Sequence, residues 1–131
     1  MILLDTHVLV WLVADPARLS RSAASAIRRT RANQGIGIAA ISLWELALMF
    51  ARGRLEAPGT IEASVQLVLD RSGVSVKPIT PEVAVLATQF PQDFPLDPAD
   101  RLIAATARAE GLALLTRDER IRKCPWVKTL W

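Results

Sequence analysis

The chain has a single cysteine, Cys124, and a single histidine, His7. One thiol closes no intrachain disulfide, and one thiol with one histidine cannot supply a Cys/His zinc site. These counts suit a reducing cytoplasm. Long apolar runs are missing too. Nothing approaches the ~20 residues needed to span a bilayer. The opening segment MILLDTHVLVWLV carries an acid in its middle and no basic stretch before it, so neither membrane insertion nor secretion is expected. There is no internal repeat, low-complexity tract or long linker, and most of the eight prolines fall between periodic segments.

What is present is enough apolar material for a packed core. The 131 residues are 51% hydrophobic and 22% charged, which argues against disorder and predicts a single domain over residues 1–131. The net charge is +3 and the sequence pI about 9.8, and the 16 basic residues divide into 13 arginines and 3 lysines. Arginine's planar fork suits phosphate oxygens, so the balance mildly favours a polyanionic partner, although a small positive surplus also serves solubility.

Short apolar runs at Ile2 to Leu4, Ile36 to Ala40, Val74 to Ile79, Leu112 to Thr116 and Trp126 to Leu130 read as buried strands. Helical spacing marks His7 to Val13, Ser20 to Ala32, Leu43 to Arg52, Thr60 to Arg71, Pro81 to Gln89 and Asp100 to Glu110. Asp15-Pro16 and Phe90 to Pro95 read as turns or loops, and Gly111 is placed to stop a helix. Helices alternating with strands too apolar to have a wet face predict an α/β fold: a central, parallel, five-stranded sheet flanked by helices on both faces.

That topology gathers four acids. Asp5 and Asp118 each follow a strand directly and fall at carboxyl ends, the edge where open α/β sheets bind ligands. Glu45 lies in the first turn of a helix leaving a strand, and Asp100 in the first turn of a crossover helix feeding one, so both face the same edge. Singly, each has a duller explanation. Ser42 and Glu45 have the spacing of a capping box, as do Asp97 and Asp100 with Pro98 between them; Asp118 can cap a short helix from Glu119, and Asp5 can end a strand. Together they weigh differently, because clustered carboxylates repel and are costly to desolvate unless a cation is present. Glu45 is also the only charge between Ile41 and Ala51. An all-carboxylate set favours Mg²⁺ or Mn²⁺ over zinc.

Three stretches carry a family resemblance: LLDTHVLVW at Leu3 to Trp11, ISLWELALMFARGRL at Ile41 to Leu55, and DPADRLIAATARAEGLALLTRDERI at Asp97 to Ile121. The chain resembles the PIN-domain ribonucleases, and within them the VapC-type toxins of bacterial toxin–antitoxin pairs, over essentially its whole length. The resemblance implies a single PIN-like domain whose acidic quartet, catalytic and metal-holding, is Asp5, Glu45, Asp100 and Asp118. Thr6, Ser42 and Thr116 fall on the polar positions that support it. It further implies a Mg²⁺- or Mn²⁺-dependent endoribonuclease that cuts single-stranded RNA by metal-activated water, leaving 5′-phosphate and 3′-hydroxyl ends. Such a protein usually works as a homodimer and is silenced by a cognate VapB-like antitoxin.

Arg101 and Arg117 flank two of the acids and are candidates for holding the scissile phosphate, with ordinary ion pairing as the alternative. His7 reads as structural, and the four tryptophans as core or interface ahead of base stacking. The helix Leu43 to Arg52 is apolar on more than one face, so either a second chain or another helix of the same domain covers it. Two rival functions stand beside the nuclease. A metal-assisted phosphotransfer enzyme or phosphatase on a similar sheet would need a nucleophilic Asp and a partner lysine, and neither Lys77, Lys123 nor Lys128 follows the expected strand. A non-catalytic binding module has no reason to keep four repelling carboxylates together.

Overall fold

The computed structural model describes residues 1–131. In chain order the elements are β1 (Ile2–Leu4), α1 (Thr6–Ala14), a 3₁₀ turn (Pro16–Arg18), α2 (Arg21–Asn33), β2 (Ile36–Ala39), α3 (Ile41–Ala51) and α4 (Ile61–Ser72). They continue with β3 (Ser75–Lys77), α5 (Pro81–Ala87), α6 (Pro98–Glu110), β4 (Leu114–Leu115), α7 (Glu119–Arg122) and β5 (Thr129–Leu130). The five strands form one sheet in the order β3-β2-β1-β4-β5, with every pairing parallel.

Parallel neighbours need crossovers, and the helices supply them on both faces. Successive strand residues point to opposite sides, which divides the core in two. Ile2, Leu4, Ile36, Ile38 and Leu115 pack against α1, α2 and α4 through Val8, Leu9, Ile27 and Val68. Leu3, Ala39 and Leu114 pack on the other face against α5, α6 and α7 through Val83, Ile103, Ala104 and Ile121. The α/β sandwich expected from the alternation of periods is therefore the fold observed.

Three local readings are corrected. The run Val74 to Ile79 is not buried: β3 is an edge strand with Ser75 and Val76 exposed. The run Trp126 to Leu130 pairs only at Thr129–Leu130, and Trp126 is exposed beside Phe90. Both lie at sheet margins, where one neighbour is missing and composition alone overstates burial. Finally, α3 starts at Ile41 rather than Leu43, with Ala40 at its N-cap, so Ser42 sits inside the first turn and is free to bond elsewhere.

Helix ends elsewhere follow their residues. Ser20, Thr60, Thr80 and Asp97 each accept a hydrogen bond from a first-turn N–H of the helix they open, and Pro81 and Pro98 occupy first helical positions. Gly111 closes α6 in the left-handed region at φ 66°, which lets the chain turn sharply into β4. No helix is long and apolar enough to cross a membrane.

Candidate active site

The carboxyl edge of the sheet opens into a cavity of about 470 Å³ whose lining includes Asp5, Glu45, Asp100 and Asp118. Four acids spread over 113 positions of sequence are thus brought together, each by the element the sequence assigned it. Asp5 ends β1 and caps α1, Glu45 projects from the first turns of α3, Asp100 from the first turn of α6, and Asp118 caps α7 after β4.

A network of hydroxyls holds three of them. The Asp5 carboxylate accepts from the Thr6 N–H and from the Thr116 Oγ1, both at 2.8 Å. Thr116 Oγ1 in turn accepts from the Asp118 N–H at 3.1 Å, so one buried hydroxyl ties Asp5 to the turn carrying Asp118. On the other side Thr6 Oγ1 donates to Glu45 Oε1 at 2.5 Å and lies 2.8 Å from Ser42 Oγ. A hydroxyl has one proton to give; Thr6 spends its own on Glu45, so Ser42 is the donor to Thr6. Ser42 and Glu45 are therefore not a capping box.

Asp100 is different, since no hydrogen bond from the protein offsets its burial. Desolvation, then the charges of Asp97, Asp5, Glu45 and Asp118, push its carboxyl up to about 7. Desolvation also raises Asp5 and Glu45 above their ordinary values, against the lowering effect of the Thr116 and Thr6 hydroxyls. Only one ion pair forms, Arg120 to Asp118 at 3.4 Å. No three acids converge into a ready-made ligand set. Uncompensated carboxylates separate by repulsion, and a hard ion such as Mg²⁺ needs only one or two of them with water filling the rest. An all-oxygen donor set, short of positive charge and half desolvated, fits a hard divalent cation.

Two side chains depart from the sequence reading. Arg101 does not reach the acids: its guanidinium points to the carbonyls of Phe90, Pro91 and Phe94 at 3.3, 3.4 and 3.5 Å and lies over the Phe94 ring, clamping the loop before α6. It is withdrawn as a phosphate contact. Arg117 does line the cavity, with its guanidinium 6.0 Å from the Trp11 ring centroid. Asp97 was read only as a cap; it caps α6 through Ala99 N–H, yet also lines the cavity and exerts the largest charge effect on Asp100. The clue was the DPAD spacing, which puts two acids one helical turn apart. His7 and Trp11 also line the cavity, whereas none of the lysines does.

A PIN-domain model matches residues 2–127, and the chain belongs to that family. Among curated proteins it is 39% identical to a ribonuclease, VapC22 of Mycobacterium tuberculosis, over 99% of this chain and 98% of that protein. Solved structures share the fold at lower identity. A Rickettsia felis VapBC2 complex bound to promoter DNA matches with TM-score 0.74 at 18% identity, covering 99% of this chain and 98% of that one. A DNA-bound VapBC complex of Salmonella typhimurium matches with TM-score 0.73 at 19% identity, over 99% and 98%. The VapC-type resemblance is borne out by these relatives.

Proposed function

We propose that this chain is a Mg²⁺- or Mn²⁺-dependent endoribonuclease that cuts single-stranded RNA, and that it is the cytoplasmic toxin of a toxin–antitoxin pair. The observation that carries the reading is the gathering of Asp5, Glu45, Asp100 and Asp118 around one cavity, where Asp100 accepts no hydrogen bond from the protein and its carboxyl is pushed up to about 7 by desolvation and the neighbouring acids. Relatedness to a protein named as a ribonuclease supports RNA as the substrate, and likeness to toxin–antitoxin complexes supports a VapB-like antitoxin as partner.

A bound divalent ion supplies a water of lowered pKa and neutralises charge on the phosphodiester. The protein's own contribution is positional. Thr116 and Thr6 fix the carboxylates of Asp5 and Glu45 as acceptors, Ser42 fixes Thr6, and Thr116 fixes the turn bearing Asp118. Asp100, with its carboxyl near 7, exchanges a proton easily at neutral pH and stands ready to give it up when positive charge enters the cavity. Arg117 faces the same cavity and is placed to meet a phosphate oxygen. A homodimer accounts for the exposed Trp44 beside Glu45.

The test is direct. Wild-type protein and Asp5→Asn, purified free of any partner, are incubated with cellular RNA in Mg²⁺, Mn²⁺ or EDTA, and the ends are mapped. Discrete metal-dependent cuts bearing 5′-phosphates, lost in Asp5→Asn, are the expected result. A folded, metal-binding wild type that cuts nothing rejects the nuclease.

A further inference from the structure

Crevices holding basic side chains adjoin the acid cavity on either side of β1, because α3 follows β2, α7 follows β4, and these two strands flank β1 in the sheet. On one side a small crevice is lined by Arg52 and Arg54 together with Thr6, His7 and Glu45, so it shares His7 and Glu45 with the acid cavity. On the other side Arg120 belongs both to the acid cavity and to a neighbouring crevice of about 260 Å³ that also holds Lys123. Lys123 in turn reaches a shallow depression shared with Arg122. Asp93 and Glu119 also line these last two crevices, against Arg120, Arg122 and Lys123, so the acid cavity lies between one basic flank and one mixed flank with a surplus of cations.

Arg52, Arg54, Arg122 and Lys123 are exposed, and none is engaged in an ion pair. Their charges are thus available to a ligand. Along α3, Glu45, Leu48 and Arg52 follow a spacing that keeps them on one face, and seven residues of helix put Arg52 ~10 Å from Glu45. That is a reach beyond the reacting phosphate and suited to a neighbouring one. A duplex would present a stiff, broad surface; crevices that share lining residues with a recessed acid cavity suit a single strand, whose phosphates follow a flexible backbone.

We infer that these residues form a bipartite phosphate track, with Arg52 and Arg54 on one flank and Arg122 and Lys123 on the other, which stretches one RNA strand across the acids. The inference rests on the ribonuclease reading and adds to it the path of the substrate and the four positioning residues. Neither flank touches the reacting atoms. Each holds a phosphate on one side of the cut, so that the carboxylates, which repel RNA on their own, meet a backbone already anchored at both ends.

Three paired variants test it: Arg52→Ala/Arg54→Ala, Arg122→Ala/Lys123→Ala, and as a control Arg28→Ala/Arg29→Ala on the exposed face of α2. The control pair sits near the end of α2 that feeds β2, at the opposite edge of the sheet. Binding of a fluorescent single-stranded RNA is read by anisotropy against salt, in an Asp100→Asn background that suppresses turnover. Cleavage is read on the intact acids. Each track pair is expected to lower the salt slope by about 1.4, from ~0.7 per lost phosphate contact on a single strand. It should also raise KM with kcat nearly unchanged, while the control changes neither. Equal losses in control and track pairs, or unchanged slopes in both track pairs while the wild type still cuts RNA, overturn the track alone. A wild type that neither binds nor cuts RNA overturns the ribonuclease reading beneath it.

Discussion

At the residue scale the site is a balance between burial and hydroxyl donors. Asp5 is buried and stays an acceptor because Thr6 N–H and Thr116 Oγ1 face it. Thr116→Val keeps the shape and removes the donor, leaving a buried carboxylate oxygen unpaired. The expected outcome is a stability loss of about 1–3 kcal/mol in urea titration. Divalent-cation affinity, measured by calorimetry, should fall roughly 10–100-fold, the usual cost when the support of a ligand is lost. Asp100 gives a pH prediction of definite sign. Its carboxyl is raised from 3.8 to about 7 in the folded chain, so the native state binds the extra proton. That contribution to stability is complete below about pH 4 and is lost as pH rises through about 7. Without divalent cation, thermal melts should therefore drop by a few degrees across that window. Asp100→Asn, or millimolar Mg²⁺ with the wild type, should flatten the drop. A melt profile in EDTA that rises across the same window contradicts the assignment.

At the scale of elements, the acids were legible because a strand's end and a helix's start are both readable from pattern, and a parallel topology then fixes which edge they share. Ile2-Leu3-Leu4 before Asp5 and Leu114-Leu115 before Asp118 are cases in point. Side-chain direction was less legible. Arg101 stands beside Asp100 in sequence but turns to the Phe90–Phe94 carbonyls, because a helix points adjacent residues about 100° apart and the loop offers acceptors that composition does not reveal. Sheet margins were misread for a related reason, since β3 and β5 look apolar yet lack an outer neighbour. Asp97 carries two opposed effects that substitutions separate. Asp97→Asn keeps the cap on α6 and removes a repelling charge, whereas Asp97→Ala loses the cap, at a cost of ~1 kcal/mol. In EDTA above pH 7 the Asn variant should match or exceed the wild type and exceed the Ala variant by about that amount. Gly111→Ala isolates the other end of α6. An added Cβ meets nothing within 4 Å, so the loss of roughly 1 kcal/mol expected in denaturant is backbone strain at φ 66° alone.

For the whole molecule, the distribution of exposed apolar side chains is the remaining unbalanced feature. Trp44 is 57% exposed, and Ile79 and Val85 are exposed as well. They lie on elements joined at one edge of the sheet: α3 follows the strand whose continuation at Ala40 N–H bonds Lys77 O, Ile79 lies in the turn from β3 into α5, and Val85 lies on α5. Within the chain α3 is covered by α4 and α6, which accounts for Leu46 but leaves Trp44 uncovered. An exposed indole at the start of a helix bearing a site acid is a costly arrangement for a lone subunit and an ordinary one for an interface centre, where aromatic residues concentrate. The homodimer is proposed on that ground and tested by sedimentation. Wild-type protein at tens of micromolar should run at twice the chain mass of 14.3 kDa, and Trp44→Asp at the mass of one chain with an unchanged circular dichroism spectrum. A wild type that sediments as a single chain removes the dimer. A Trp44→Asp variant that still dimerises moves the interface off this face while leaving the acid site as described.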